Sequence, residues 1–454
     1  MPKQPDRDPE LLLSFYGDDV TGSTDALEAA ALAGLSAVLF LACPTVEQLA
    51  RYRHVHVIGV AGDSRSRTPE WMKANLPQVF ETLKATGAPI VHYKTCSTFD
   101  SSPTIGSIGQ AIDIGIHCFG TPVPVVVGVL PHRRFVVFST LFAAGHVGGT
   151  QGVYRIDRHP TMSRHPVTPM TEADLRLHLG KQTARRIAGF DHCQMAEDDF
   201  AARFAALGAE IVVLDTFDAI TTHRTGEILA SQAADRQMFV AGSSGVEYAY
   251  FDYLAVEGKL PAAELRPPSG PVDKIAAVYG SCSPISEKQL EWAEKNGMAV
   301  IAADTVALVD GAGDAEDALV TQMVAALSQH RGAVACTARG PSDPRIARTR
   351  EALGNAGYGA YESSRLLGES LGRVLKRVIE HTGIQRAVLA GGDSSSYAIT
   401  KLGIEALEYS GPMVPGAPLC RVRTDNRRLD GTEVVLKGGQ VGEPDFLGRL
   451  IIGH

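Results

Sequence analysis

Short apolar runs alternating with helix-forming stretches restrict the fold of this chain more than any other feature. Residues 11–16 form such a run and stop at Gly17, and residues 26–33 behind it are rich in helix formers. Runs at 37–41, 54–60 and 90–93 repeat the arrangement, with helical patterning at 70–84 between them. A continuous apolar run fits a strand buried on both faces, and strands alternating with helices predict a parallel sheet covered by helices. The rhythm breaks after residue 120. Runs at 123–129 and 135–138 read as strands, but Gly, Pro and His crowd 145–169, which predicts long functional loops. Thr171 opens Thr-Glu-Ala-Asp-Leu, read as a helix cap and first turn. Strand patterning resumes at 211–214 and 239–241.

Residues 257–271 contain LPAAELRPPSGP, a composition suited to a linker rather than to the interior of an element. The strand–helix rhythm restarts at 275–279 and returns at 299–302, 333–337 and 386–390. The reading is therefore α/β with two domains, 1–267 and 268–454, each a mostly parallel sheet flanked by helices. The formal net charge of −8 argues against a nucleic-acid partner, which needs clustered Lys and Arg. It leaves room for an anionic small molecule in one local basic pocket. The seven cysteines are scattered and show no CxxC spacing, so neither a disulfide framework nor a zinc site is expected. The start, MPKQPDRDPE, has no apolar segment, and no apolar run nears the ~18 residues that span a bilayer. A cytoplasmic protein without a membrane partner is expected. Oligomeric state is open, a homodimer being compatible.

Six motifs follow predicted strands, where open α/β sheets bind ligands. In Gly17-Asp18-Asp19-Val20-Thr21-Gly22-Ser23-Thr24-Asp25, Asp18 or Asp19 can accept a proton or bind hydroxyls, or simply cap the next helix. In Asp63-Ser64-Arg65-Ser66-Arg67, the planar fork of Arg65 suits a carboxylate. The third motif, Lys94-Thr95-Cys96-Ser97-Thr98-Phe99-Asp100, joins a cation, hydroxyls and an acid, with Asp100 the next candidate base after Asp19. The fourth is Gly280-Ser281-Cys282-Ser283, whose backbone N–H groups can hold phosphate at a strand–helix junction. The fifth is Gly391-Gly392-Asp393-Ser394, and the sixth Lys437-Gly438-Gly439-Gln440-Val441-Gly442. Tight turns would also explain these glycines. GxxxxGK[ST] is absent, so there is no P-loop, and no HxH or HExxH marks a metal site; the metal ligands stay undefined.

Taken in order, GDDVTGSTD, DSR, YKTCST, GSCSP, GGDSS and LKGGQVG resemble the four-carbon acid sugar kinase family over nearly the whole chain. The resemblance implies an N-terminal sugar-acid domain, a C-terminal ATP domain and an active site in the cleft between them. It implies ATP and Mg²⁺ as cofactors and phosphorylation of a terminal hydroxyl. Asp19, Arg65 and Lys94 to Thr98 match the family's substrate positions, with Asp19 favoured as the positioning residue and base. Ser281 or Ser283, Gly391 to Ser394 and Gly439 match its ATP positions. One departure stands out: Cys96 replaces an Asp in the family's KxDSTLRGN, and the Leu-Arg-Gly stretch is lost. The STFDSSP form is similar to the subgroup acting on 3-oxo-isoapionate, a branched keto acid. That substrate ranks ahead of 3-oxo-tetronate, threonate and erythronate. Two other readings compete, an NAD-dependent dehydrogenase and a non-catalytic sugar-acid binding protein. The first would need GxGxxG after a strand, which neither the first strand nor the domain restart carries.

Overall fold

The computed structural model describes residues 10–147, 150–165, 167–260, 269–311, 313–358 and 360–453. The chain divides into two compact units, Met1–Leu265 and Arg266–His454. Residues 261–268 of the expected linker lie outside the described residues.

The N-terminal unit is built on parallel strands β1 (Leu13–Gly17), β2 (Ala37–Phe40), β3 (Val57–Ala61), β4 (Ile90–Lys94) and β5 (Val123–Val126). A small antiparallel sheet of β6 (Arg134–Val137), β7 (Thr140–Val147) and β8 (Thr150–Arg155) follows, and then β9 (Ile187–Phe190), β10 (Ile211–Leu214) and β11 (Met238–Gly242). The main sheet runs β2-β3-β1-β4-β11-β5-β10-β9, with every pairing parallel. The unbroken apolar runs are explained by burial: every residue of β1, β3, β4 and β11 is buried. Register lines up Gly17 with Ala61 on one side and Lys94 on the other, so the three loops that follow leave the same edge.

Three local expectations are corrected. The Gly-, Pro- and His-rich stretch 145–169 is not all loop, because β7 and β8 pair there with Gly145 opposite Gly152. The β6–β7 turn also hides from composition. Phe138 and Ser139 both take positive φ (48° and 60°) without a glycine, and the Asp215 carboxylate holds their N–H groups at 2.8 and 2.9 Å. A partner 76 residues away does what Asn-Gly does locally in other hairpins. The helix expected to be capped at Thr171 starts at Leu175, and Asp174 caps it through Arg176 N. The first helix runs Val20–Leu32 rather than from Ala26, so most of the first motif is helical.

The C-terminal unit contains β12 (Ile275–Tyr279), β13 (Ala299–Ala302), β14 (Gly332–Cys336), β15 (Arg386–Ala390), β16 (Ala406–Val414), β17 (Ala417–Arg423) and β18 (Glu433–Lys437). Their order is β13-β14-β12-β15-β18-β17-β16, parallel as far as β18 and antiparallel from there on. The β16–β17 pair carries no signal strong enough to be read from the sequence. Tyr279, Ala390 and Lys437 stand in one register row, which sends the fourth, fifth and sixth motifs off one edge. Among the described residues no helix is long and apolar enough to cross a membrane, and the seven cysteines are free.

Candidate active site

At the N-terminal edge, Asp19 is the N-cap of Val20–Leu32. Its Oδ1 accepts from Gly22 N, closing the first turn of that helix. Its Oδ2 accepts from Arg65 Nη1 at 3.0 Å. The other arm of Arg65 forks onto Asp100, with Nη2 at 2.9 and 2.8 Å from the two carboxylate oxygens. Thr98 donates to Asp100 Oδ1 at 2.5 Å and Thr168 to Oδ2 at 2.9 Å. Thr168 also lies 3.1 Å from His165 Nδ1. Lys94, the last residue of β4, points its ammonium at Asp25 Oδ2, 3.4 Å away, and His132 lies 3.6 Å from Oδ1 of the same acid.

These contacts sort the acids. Burial raises the proton affinity of Asp100, but Arg65 and the Thr98 hydroxyl outweigh it and hold the group at about 2. Asp25 is likewise pulled below its ordinary value, burial being overcome by Lys94 and His132. Burial alone would discharge Lys94, yet Asp25 keeps it charged and raises its pKa. Asp18 is the exception. It is 5% exposed, and its carboxylate has no hydrogen-bond partner among the described residues. Burial, and then the like charge of Asp19, push it up to about 7, partly offset by Arg65 and Lys94. A carboxyl group poised near neutrality beside cations and hydroxyls is suited to general acid–base work.

In the C-terminal unit the three glycine-rich loops meet. Gly391 adopts φ +148°, and a Cβ there would fall 2.1 Å from Ser394 Oγ and 3.5 Å from Ser281 N. A Cβ at Gly439 would fall 2.4 Å from Ser281 Oγ. Ser283 caps Pro284–Lys295 through Ser286 N and also donates to the Gly439 carbonyl. Gly392 differs, because nothing lies within 4 Å of a Cβ built there. It opens onto free space at the start of the helix Asp393–Thr400, the end of a helix that favours anions.

The structure thus gathers Asp18, Asp19, Arg65, Lys94, Thr98 and Asp100 at one edge, and Ser281, Ser283, Gly391, Gly392, Asp393, Ser394 and Gly439 at another. One residue of the third motif turns elsewhere: the Thr95 hydroxyl donates to Gly242 O at 3.0 Å. Cys96 stays at this edge, its Sγ 3.1 Å from Thr98 Oγ1 and close to Arg65 and Lys94. Ser97 is half-buried. Asp25, His132 and Thr168 had been given no role. Asp25 was within reach once the helix start was known, since helical side chains lean toward the N-terminus and so back to the strand tip. Among the described residues no cluster of three His, Cys, Asp or Glu could hold a metal ion.

An acid-and-cation edge on one α/β unit and a glycine–serine edge on the other define a phosphotransferase with separate acceptor and nucleotide units. Residues 13–250 match the family described as Sugar-binding N-terminal domain, and residues 276–447 match Nucleotide-binding C-terminal domain. The chain belongs to the four-carbon acid sugar kinase family. A 3-oxo-isoapionate kinase of Paraburkholderia graminis is 45% identical to it, covering 98% of this chain and 95% of that one. A 3-oxo-tetronate kinase of Methylobacterium radiotolerans is 27% identical, covering 97% and 99%. A solved Salmonella typhimurium LT2 structure, described as a tRNA synthase, is 22% identical with a TM-score of 0.75, covering 97% and 99%, and shares the fold. The curated relatives are kinases, and the dehydrogenase and binding-protein readings find no support among them.

Proposed function

We propose that this kinase transfers the γ-phosphoryl group of ATP to the terminal hydroxyl of a branched keto sugar acid of the 3-oxo-isoapionate kind. The observation that carries the proposal is Asp18, a buried carboxyl group with no hydrogen-bond partner among the described residues, raised to about 7 at the tip of β1 beside Arg65 and Lys94. Asp18 takes the proton of the attacking hydroxyl. Asp19, committed to Gly22 N and Arg65, positions rather than deprotonates. Arg65 keeps donors for the substrate carboxylate, since a guanidinium has five N–H groups and only some face Asp19 and Asp100. Thr98, Ser97 and Lys94 complete the hydroxyl and carboxylate contacts.

The nucleotide fits the C-terminal edge: Ser281, Ser283, Gly391, Ser394 and Gly439 lie close together, and the position beside Gly392 is open. Asp393 is an exposed carboxylate in the same loop. It suits Mg²⁺, which typically takes one or two carboxylates together with phosphate oxygens rather than a full protein cage. When bound, ATP supplies the transferable group and Mg²⁺ neutralises its charge. The choice of a keto acid over threonate or erythronate rests on the altered third motif and on the 45% identical relative. The need for ATP and the free cysteines support a cytoplasmic location.

The test is ADP release with MgATP and each of 3-oxo-isoapionate, 3-oxo-tetronate, threonate and erythronate. The expected kcat/KM order is the order given. A site built around one hydroxyl can reject an analogue lacking it by ~10⁴-fold. A clear preference for threonate would end the substrate proposal, and no turnover with any of the four would end the assignment of the acceptor unit.

A further inference from the structure

Lys437 has no task in the reading above. It is the last residue of β18, fully buried, and it stands in register beside Ala390 and Tyr279 directly beneath the Gly438–Gly439 turn. Its Nζ donates to Gly438 O at 3.1 Å. Two aromatic rings pack beside it: Nζ lies 5.3 Å from the centre of the Tyr279 ring and 5.8 Å from that of Phe446. No salt bridge joins it to a carboxylate among the described residues. Other charges on the neighbouring elements point elsewhere. Arg386 and Glu433 pair with each other at 2.6 Å at the opposite ends of β15 and β18. Glu287, on the helix over this face, packs toward Gly340. Gln289 of that helix accepts from the Tyr279 hydroxyl at 3.1 Å, and Tyr279, its own pKa raised by burial, is the titratable group that faces Lys437. Asp393, at the start of the helix after the fifth motif, is exposed.

A buried amine without a counter-charge is costly to keep protonated, and burial alone pushes Lys437 down to about 7. Buried lysines in folded cores usually meet a carboxylate, as Lys94 meets Asp25 here. Among the described residues no counter-charge is present, and the turn that Lys437 supports carries Gly439, which abuts Ser281.

We propose that Lys437 is a positioning residue for the nucleotide: the phosphates of ATP are its counter-charge, and their arrival draws one proton from the medium onto its Nζ. The ammonium then pins Gly438 O and supplies positive potential under the glycine turn. The inference rests on the assignment of the C-terminal unit to ATP, and it adds that nucleotide binding is coupled to proton uptake at this one side chain. The balance is simple. A neutral amine and a solvent proton become an ammonium, and no covalent bond to the nucleotide forms.

Titration calorimetry with MgATP, without sugar acid, tests it. At pH 8 the terminal phosphate, whose last pKa is about 6 to 7, is already ionised, so the nucleotide itself takes up little. Binding enthalpies measured in two buffers of unequal ionisation enthalpy then give the number of protons absorbed. Wild type should absorb more than half a proton per nucleotide at pH 8 and progressively less toward pH 6. Lys437→Met should bind roughly tenfold more weakly or worse, with no uptake. Lys437→Arg, permanently charged, should bind without uptake and with an affinity that stays flat from pH 7 to 9. If wild type binds MgATP with no proton uptake at pH 8, the proposal fails while the nucleotide unit stands. This measurement needs no variant, so a misfolded Lys437→Met leaves it decisive. Absence of MgATP binding by folded wild type would overturn both readings.

Discussion

Lys94 and Lys437 hold the same place in the two units. Each is the last residue of its strand, each is almost inaccessible, and each Nζ donates at 3.1 Å to the carbonyl of the residue after it. Their electrostatics are opposite. Lys94 has Asp25 at 3.4 Å and is raised above the ordinary lysine value. Lys437 has aromatic rings and is lowered to about 7. The same position therefore builds a permanently charged corner in one unit and a conditionally charged one in the other, and the difference lies in one carboxylate. The N-terminal edge compensates its charges internally, whereas the C-terminal edge waits for a ligand to do so.

The largest effects should come from replacing each lysine with Met. Lys94→Met leaves Asp25 a buried acid with His132 and the Ser244 hydroxyl beside it but no lysine. Breaking a buried pair this way costs about 3–5 kcal/mol. Lys437→Met removes a buried charge without orphaning another, so it should be neutral or stabilising by up to about 4 kcal/mol at pH 7. Urea unfolding of both variants without ligands decides the matter. Similar losses in the two would show that Lys437 has a counter-charge after all. The pH dependence sharpens this. The folded-state pKa of Lys437 is depressed, so between about 7 and the ordinary lysine value near 10.4 the unfolded chain binds the extra proton and wild-type stability rises with pH. That slope should vanish in the Met variant.

Asp18→Asn comes next. The amide keeps the shape but cannot take a proton, so turnover should fall by at least ~100-fold while MgATP affinity is unchanged. The wild-type rate should climb with pH through about 7, as Asp18 loses its proton, and then level off. The climb should be missing from whatever activity the variant retains. A full rate in Asp18→Asn would return the role of base to Asp19 or Asp100.

The lysine comparison also shows where sequence reading stops. The strands of both edges were legible because a strand buried on both faces must be apolar along its whole length, as Phe15, Val57 and Val91 are. Each motif could be placed at a strand end for the same reason. The fate of each ionisable group could not be read. Lys94 and Lys437 sit in similar local text, Tyr-Lys-Thr and Leu-Lys-Gly, and only Asp25, 69 residues away, separates them. The division of labour between Asp18 and Asp19 was hidden too. It depends on which of the two begins the helix, and the helix start was misplaced by six residues, at 26 instead of Val20. The β6–β7 hairpin failed for a like reason, its turn being held by Asp215 rather than by its own residues.

The smallest effect should come from within the compensated edge. Asp100 accepts from Arg65 on both oxygens, from Thr98 on one and from Thr168 on the other. With so many donors, removing the hydroxyl in Thr168→Val leaves no oxygen unpaired. The cost should sit near the ordinary hydrogen-bond range, about 0.5–1.5 kcal/mol, or roughly 2–4 °C in Tm per kcal/mol for a unit of this size. Its sign with pH is fixed. The folded-state pKa of Asp100 is depressed to about 2, so its contribution is fully present above the unfolded value near 3.9 and is lost as pH falls toward 2. Loss of one donor raises the folded value and narrows that window, so acid unfolding of Thr168→Val should begin at a higher pH than in wild type, with little change in stability between wild-type and variant slopes above pH 5. A large loss at neutral pH, comparable to that of Lys94→Met, would mean that the acids of this edge depend on single contacts and not on shared ones. The contrast with the C-terminal edge would then be one of degree.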